Sequence, residues 1–310
     1  MPSHPFSDPA GQAAVAARIG AAPEAVSYRQ LARGVSHDTL IVSVDGSPRA
    51  VLRLAPPRAE ILPRLQPAEE GRLFELLAGS GLPVPEALIV DRDGTRLGRP
   101  GLLMSYQPGE NALTWAEMEE RGGAGAIDHA FATIVAMHSL PVPVEWPQAG
   151  EPEGHAELEL AGVRRLAGEA GEGAPAELLA AASELAAAVP APSGPPCIVH
   201  GDFRPANLMA SGGAITGILD WEMAGTGDPA CDFGISTMRE WGEWYPDAEL
   251  LDRYRAARGV EIELASLLWW RALGYVKVVA FLACRMTEGW RGPDLDRWVA
   301  AMQRALAEWR

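Results

Sequence analysis

The chain has 310 residues, enough to bury a large core and to form two lobes or domains. Its 48% hydrophobic and 22% charged residues are ordinary for a globular protein. The formal net charge of −15 argues against a nucleic-acid partner, because the chain has no surplus of basic residues to neutralise phosphates.

The first third of the chain predicts a small antiparallel sheet. Asp8 before Pro9 marks a helix start, and Gly20 marks its end. Five strand-like runs and one helix follow, in the order VSYRQLA, TLIVSV, AVLRLA, a helix over 64–79, EALIVDRDG and PGLLMSYQPG. We predict that residues 1–105 form a sheet lobe with an additional N-terminal helix.

Helical patterns dominate the remainder of the chain. Helices are predicted at about 114–121, 124–139, 156–170 and 174–189, and again from about 230 onward. A proline-rich break, VPAPSGPP, precedes two short strands, CIVHGDF and AITGILDWE. Residues 106–310 are therefore expected to form a larger, mainly helical lobe, so the fold class is α+β.

A few residues indicate the cellular location and exclude one class of protein. The three cysteines are far apart and odd in number, which predicts a reducing, cytoplasmic setting, and the N-terminus lacks the regions of a signal peptide. The most apolar window contains Arg271 and Lys277, which favours a core helix over a membrane span. Because Lys277 is the only lysine, the Gly-Lys-Ser/Thr loop of P-loop NTPases is excluded.

Two nearby motifs predict chemistry. In HGDFRPANLM, Asp202 can accept a proton from an attacking hydroxyl, while Asn207 five residues later offers a neutral oxygen to a metal ion. Asp220, at the end of the strand GILD, adds a carboxylate for Mg²⁺ between protein and nucleotide phosphates. Each residue alone is also typical of a turn or helix cap, but the three at this spacing predict catalysis.

The combination resembles a known family. HGDFRPAN stands where protein kinases have H-R-D-x-x-x-x-N, and DWE stands where they have D-F-G. Together with VLRLAPP and LDWEMAGTGDPACDFG, these stretches resemble the aminoglycoside phosphotransferase and choline kinase-like enzymes, and most of all the branch also found fused to acyl-CoA dehydrogenases. The resemblance implies a bilobal protein-kinase-like fold whose residues 1–105 bind nucleotide.

The resemblance also implies roles in the sheet lobe. Arg53 stands at the position of the kinase lysine that grips the nucleotide phosphates, with Glu70 as its partner and Glu69 as the alternative. Gly34 and Ser36 correspond to a shortened phosphate-covering loop, although an ordinary hairpin explains them equally well. Met104, Ser105 and Tyr106 are expected at the hinge, where backbone groups can meet an adenine edge.

Two further residues are expected to support the catalytic loop. His200 can be a metal ligand, but the family resemblance implies that it organises the loop through hydrogen bonds. Asp232 can be a helix-capping residue, whereas the resemblance implies that it buttresses the loop from a neighbouring helix.

The resulting prediction is a kinase that uses ATP and Mg²⁺ to phosphorylate a hydroxyl group of a small molecule. Two alternatives are a nucleotide-binding pseudokinase or scaffold and a metal-dependent phosphoesterase using His200, Asp202 and Asp220. Residues 1–105 are neutral overall, whereas residues 106–310 carry 15 basic and 30 acidic residues. This excess suits either a cationic acceptor or simple solubility. The acceptor, the choice of ATP or GTP and the oligomeric state stay open.

Overall fold

A computed structural model describes residues 6–31, 37–55, 65–146, 152–287 and 294–310. Within these ranges the β-strands are β1 Val26–Gln30, β2 Asp38–Val44, β3 Ser47–Leu54, β4 Ala87–Asp91, β5 Gly101–Ser105, β6 Cys197–Val199, β7 Leu208–Ser211, β8 Ala214–Ile218 and β9 Gly225–Gly227. The α-helices are α1 Pro9–Arg18, α2 Pro67–Leu77, α3 Trp115–Gly122, α4 Ala126–Ser139, α5 Pro152–Ala170, α6 Ala176–Ala186, α7 Ala230–Ser236, α8 Asp247–Arg258, α9 Leu264–Thr287 and α10 Leu295–Trp309.

The first five strands form one antiparallel sheet in the order β1-β2-β3-β5-β4. The hairpin between β2 and β3 closes over Asp45 and Gly46, whose φ angles of 48° and 79° match a two-residue turn of the primed type. The predicted five-stranded sheet is confirmed, and the fold class is α+β. The following helix begins at Pro67 rather than at 64.

The two faces of this sheet bury different groups because successive strand residues point to opposite sides. One face carries Leu40, Leu52 and Leu54, which pack with Val15 of α1 in a small apolar cluster. The opposite face carries Arg53 together with the residues that line a cleft, as described below. The alternation therefore places Arg53 toward the cleft by its position in β3.

The long helix α9 forms the centre of the helical part and packs against α5, α7 and α10. By length and composition it is able to cross a membrane, but 78% of its most apolar window is buried by the rest of the chain. Such burial is what the sequence predicts for a core helix that carries Arg271 and Lys277.

Among the described residues after 105, there are four short strands, where the sequence predicted two. β6 pairs with β9 and β7 pairs with β8, both in antiparallel fashion. The strand predicted over CIVHGDF ends at Val199, so His200 and Asp202 lie in a loop. The division of the chain at residues 105 and 106 stays a prediction.

Close packing of α7 on α9 depends on glycine. A methyl group added at Gly234 would lie 2.6 Å from the backbone carbon of Trp270, whereas one added at Gly162 in α5 would meet no atom within 4 Å. We expect Gly234→Ala to lower the free energy of unfolding by about 1–3 kcal/mol through overpacking. The matched change Gly162→Ala should raise stability by about 0.4–1 kcal/mol, because alanine restricts the unfolded chain. Urea unfolding measures both, and equal effects would contradict this packing.

Candidate active site

The loop that follows β6 is held by one buried carboxylate. Asp232 in α7 accepts hydrogen bonds from the backbone N–H of His200 at 2.9 Å and from that of Gly201 at 2.7 Å. Gly201 has a φ of 77°, and a Cβ at this position would lie 2.4 Å from the carbonyl oxygen of Met223. Only glycine fits this backbone, so the G of the H-G-D motif is a steric requirement.

A histidine that the sequence did not single out supports Asp232. His138, near the end of α4, lies 3.1 Å from Asp232 through Nε2 and 3.0 Å from the Tyr254 hydroxyl through Nδ1. Burial alone would raise the pKa of Asp232, but the hydrogen bond and charge of His138, followed by the contribution of His200, hold it below its usual value. The Asp232 carboxylate is therefore ionised at neutral pH as long as the loop keeps this arrangement.

His200 uses both ring nitrogens within the protein. Its Nε2 donates to the carbonyl oxygen of Leu219 at 2.9 Å, and its Nδ1 accepts from the backbone N–H of Asp202 at 3.2 Å. The ring is fully buried and packs against Trp221 at a centroid distance of 4.9 Å. His200 thus connects the loop to the end of β8 and has no nitrogen left for a metal ion.

Asp202 and Asn207 contact each other directly. The side-chain amide of Asn207 donates to the Asp202 carboxylate at 2.7 Å and to its carbonyl oxygen at 2.8 Å. The short 3₁₀ helix Pro205–Asn207 supplies the turn that brings the two side chains together. Because the nitrogen of the Asn207 amide is used in this way, its oxygen is the atom that remains to meet a cation.

Asp220 has an unusual backbone. Its φ and ψ of 64° and 60° lie in the left-handed region, which costs of order 1–3 kcal/mol for a residue other than glycine. Its neighbours are fixed on both sides: Leu219 donates its N–H to the Asn207 carbonyl at 2.8 Å, and Trp221 donates its N–H to Glu70 at 3.0 Å. The surrounding structure therefore holds Asp220 beside Asn207 against this strain.

Arg53 forms the charged centre of the site. Its Nη1 donates to Glu70 at 2.8 Å, and its Nη2 lies 3.1 Å from Asp220 and 3.0 Å from Glu222. Glu69, the alternative partner in the sequence, caps its own helix by accepting from the backbone of Gln66 at 2.7 Å. The structure thus brings Arg53 together with Glu70 and with the end of β8.

The charged side chains around Arg53 shift one another's pKa values. Burial raises the pKa of Glu70, although Arg53 opposes this rise. Burial would also raise the pKa of Asp220, but Arg53, and then His200 and Arg204, hold it below its usual value. The result is an ionised Asp220 beside the cleft, whereas the pKa of Glu70 stays above its usual value.

Sequence reasoning missed two members of this group. Glu222 pairs with Arg53, and His37 lies 3.0 Å from the Arg53 Nη2 and 3.3 Å from Glu222 through Nδ1. Glu222 stands two residues after Asp220, a spacing that marks it as a candidate. No local pattern identifies His37, since its partners lie across the sheet and in the second part of the chain.

A cavity of about 570 Å³ opens beside these residues. The sheet contributes Ile41 and Val51 to its lining, and the β7–β8 region contributes Met209 and Leu219. These four side chains form apolar walls suited to a flat base. Polar residues lie along the same cavity, namely His37, Thr39, Arg53, Asn207, Asp220 and Glu222.

The predicted hinge also lines this cavity, with one difference from expectation. Met104, Ser105 and Tyr106 all lie on it. The N–H groups of Ser105 and Tyr106, however, already donate to the carbonyls of Glu86 and Arg49 at 2.9 and 3.2 Å. Contacts with a base at this segment therefore fall to its carbonyl oxygens or to neighbouring residues. Gly34 and Ser36 lie outside the described residues.

The donor set suits an oxygen-preferring cation. Within the described ranges, no group of three or more His, Cys, Asp or Glu side chains gathers to hold a metal ion by itself. Asn207 and Asp220 offer two oxygen ligands at the edge of the cavity, so other ligands must come from phosphates and water. Magnesium accepts such a site, since it commonly keeps water and substrate oxygens among its ligands.

Comparison with known proteins agrees with this architecture. The model of the family described as "Phosphotransferase enzyme family" matches residues 27–273. The chain is 24% identical over 314 aligned positions to acyl-CoA dehydrogenase family member 11 of Gallus gallus, covering 92% of this chain and 40% of that protein. It thus spans less than half the length of this curated relative.

Solved structures show the same fold. A choline/ethanolamine kinase family protein from Mesorhizobium loti superposes with a TM-score of 0.64 at 17% identity, covering 96% of this chain and 94% of the other. The streptomycin–ATP–APH(2'')-IIa ternary complex superposes with a TM-score of 0.57 at 15% identity, covering 94% of each chain. The predicted protein-kinase-like fold is confirmed.

The Asp232 network makes a prediction about acid stability. We expect Asp232→Asn to lower the free energy of unfolding at pH 7 by about 2–4 kcal/mol, because two backbone donors and His138 lose a charged acceptor. The pKa of Asp232 is lower in the folded protein than in the unfolded chain, so this stabilisation is complete above the unfolded value and is lost as the pH falls below it.

Urea unfolding between pH 3 and pH 7 measures this difference, which should shrink toward the acid end. Asp252→Asn serves as the control, because Asp252 pairs with Arg255 at the surface with 70% of its side chain exposed and exposed pairs contribute about 0–1 kcal/mol. A difference between Asp232→Asn and the wild type that stays constant with pH would contradict the assignment.

Proposed function

Because the chain belongs to the phosphotransferase enzyme family, we propose that it transfers the γ-phosphoryl group of ATP to a hydroxyl group of a small molecule. One observation carries the proposal. Asn207 and Asp220, connected through the Leu219 backbone, line a cavity with apolar walls, and the Asn207 amide holds Asp202 next to them. This is the arrangement that phosphoryl transfer needs, since its catalysis consists mainly of positioning and charge stabilisation.

In the proposed reaction, the oxygen of the acceptor hydroxyl attacks the γ-phosphorus, and the bond from this phosphorus to the β-phosphate oxygen breaks. Asp202 accepts the proton that the hydroxyl loses, so the products are a phosphate ester and ADP. With 27% of its side chain exposed, the Asp202 carboxylate is accessible to an acceptor. Asn207 keeps this carboxylate in place through the bond of 2.7 Å.

The other residues act on the nucleotide. Asn207 and Asp220 would hold Mg²⁺, which neutralises phosphate charge when it is bound. Arg53, kept in place by Glu70, presents its guanidinium to the phosphates. Ile41, Val51, Met209 and Leu219 enclose the base, and the segment from Met104 to Tyr106 borders it. We infer a cytoplasmic location from the three buried cysteines, which are thiols and not disulfides.

Two other functions are less well supported. A metal-dependent phosphoesterase would need His200 as a ligand, and both of its ring nitrogens are already bonded to Leu219 and Asp202. A nucleotide-binding scaffold would show binding without turnover. Nucleotide consumption in the presence of hydroxyl compounds separates the scaffold from the kinase, and hydrolysis of phosphate esters without nucleotide would support the phosphoesterase.

The acceptor is proposed only as a class. The neighbouring structures are named for choline or ethanolamine and for streptomycin, and the curated relative is named for acyl-CoA dehydrogenase. A cationic acceptor would benefit from the acidic excess of residues 106–310. A screen should therefore include amine-bearing, neutral and anionic hydroxyl compounds, each at low and high salt, because screening weakens the capture of a cation.

Replacement of the proton acceptor provides the direct test. We expect Asp202→Asn to lower turnover by about 10²- to 10⁴-fold while leaving the affinity for Mg·ATP nearly unchanged, because Asp202 faces the acceptor and not the nucleotide. Coupled ADP release measures the turnover, and calorimetry measures binding. The control is Asp252→Asn at the surface, which should match the wild type. Wild-type turnover in Asp202→Asn would remove Asp202 from the proposed role.

The geometry of Arg53 predicts that lysine cannot replace it. The guanidinium reaches Glu70 through one Nη atom and Asp220 with Glu222 through the other, and a single ammonium group cannot span both. We expect Arg53→Lys to weaken Mg·ATP binding by about 10-fold or more and to lower stability by about 1–3 kcal/mol, because buried carboxylates lose a partner. Arg72→Lys is the matched control, since Arg72 pairs with Glu75 on an exposed face. If Arg53→Lys leaves Mg·ATP binding and stability unchanged, the contacts of the second Nη atom with Asp220 and Glu222 are dispensable.

A further inference from the structure

The carboxylate of Asp202 has a second partner besides Asn207. The Nε–H of Arg204 is shared between both oxygens of Asp202, at 2.9 and 3.0 Å. The other side of the guanidinium lies over the ring of Trp241, with the central carbon 4.8 Å from the ring centroid. Arg204 is thus enclosed between an aromatic ring and the carboxylate that is proposed to receive the proton.

Trp241 is itself held firmly. It ends the 3₁₀ helix Arg239–Trp241, and its indole N–H donates to the carbonyl oxygen of Ile235 at 2.9 Å. Its ring packs on Trp298 of α10 at 6.2 Å. A fixed indole provides a surface on which the planar guanidinium can rest, since arginine stacks readily on aromatic faces.

The pairing is not explained by folding requirements alone. Arg204 and Asp202 have 25% and 27% of their side chains exposed, so water can solvate either group if the pair separates. Water that reaches both groups screens their attraction, so this half-buried pair contributes less to stability than a fully buried pair in good geometry. Their close arrangement at the candidate catalytic carboxylate therefore suggests a role in orientation.

We propose that Arg204 and Trp241 are positioning residues, in which the indole holds the guanidinium and the guanidinium fixes the direction of the Asp202 carboxylate toward the acceptor. This inference rests on the proposed function for its catalytic consequence. Burial alone would lower the pKa of Arg204, but the charge and hydrogen bond of Asp202, together with the charge of Asp220, raise it above its usual value, which agrees with a persistent ion pair. We call Trp241, Arg204 and Asp202 the clamp. These three residues can hold one another without any change in the contacts around the proposed nucleotide cavity.

The clamp can be tested without an acceptor, by NMR of arginine Nε–H groups in the full chain. Arg204→Lys identifies the Arg204 signal by its loss. We expect slow exchange of this proton with water in the wild type, and faster exchange with a changed chemical shift in both Asp202→Asn and Trp241→Leu. Trp309→Leu, at the end of α10, should leave the signal unchanged. The clamp is overturned if the Arg204 proton exchanges as fast as that of a free arginine, or if its signal is the same in the wild type and in both variants.

Turnover measurements then test its catalytic consequence. Loss of a hydrogen bond to a charged group predicts that Arg204→Ala lowers kcat by about 10- to 100-fold, with the KM for ATP changed by no more than about twofold. Trp241→Leu should lower kcat by about 2- to 5-fold, and Trp241→Phe should lie between Trp241→Leu and the wild type. Added ethylguanidinium should restore part of the activity of Arg204→Ala and none of that of Asp202→Asn.

The two proposals fail in different ways. If the wild type transfers phosphoryl groups to neither an acceptor nor water, the proposed function fails, and the NMR experiment still decides whether the clamp exists. If the wild type is active and correctly folded Arg204→Ala keeps its kcat, the positioning role is overturned while the kinase assignment stands. A rise in the KM for ATP with constant kcat would also overturn it, because it would place Arg204 at the nucleotide.

Discussion

One buried positive charge ties the two parts of this molecule together. Arg53 belongs to the five-stranded sheet, and only 8% of its side chain is exposed. Removing a guanidinium from water is costly unless carboxylates surround it in good geometry. Glu70 supplies one such carboxylate from α2, while Asp220 and Glu222 supply two from the segment after β8. The sheet therefore cannot move away from the segment after β8 without leaving charges unpaired.

A second buried charge organises the opposite side of the site by the same physical rule. Asp232 is fully buried and satisfies its oxygens with two backbone N–H groups and His138. The loop held in this way includes His200, whose ring extends the network to the carbonyl of Leu219. Asp220, next in the chain, is thus reached by both networks, from Arg53 on one side and from the Asp232 loop on the other. The left-handed backbone of Asp220 is maintained because its two neighbours are fixed independently.

Part of this arrangement follows from sequence because it is local. Asp202 and Asn207 are five residues apart and Asp220 follows a strand, so the local sequence is enough to mark these three residues as a candidate site. The alternation of side chains along β3 places Arg53 on the face of the sheet that borders the cleft. His138 and His37 could not be found in this way, since their partners lie 94 and 16 residues away and no periodic pattern connects them. β7 and β9 have four and three residues, too few to show a period, whereas the equally short β6 was predicted from the apolar run CIV before the H-G-D motif. The sequence also left Glu69 and Glu70 as alternative partners of Arg53. Glu69 caps its own helix, which decides for Glu70, but this capping role can be recognised only when the start of the helix is known.

The charges of the Arg53 group also constrain how a nucleotide can bind. Three carboxylates, Glu70, Asp220 and Glu222, surround a single guanidinium. A triphosphate that arrived without a counterion would bring more negative charge to a group that already has a surplus, in a partly desolvated cleft where charges interact strongly. A divalent cation held by Asp220 would offset this negative charge when it accompanies the triphosphate, because Asp220 would gain a partner to replace Arg53. Arg53 would then be free to turn toward the phosphates, with Glu70 still holding the other end of its guanidinium. If the chain binds a nucleotide as proposed, its charges would therefore favour binding together with a cation over binding of the nucleotide alone, and this preference would arise from those charges rather than from the shape of the cavity.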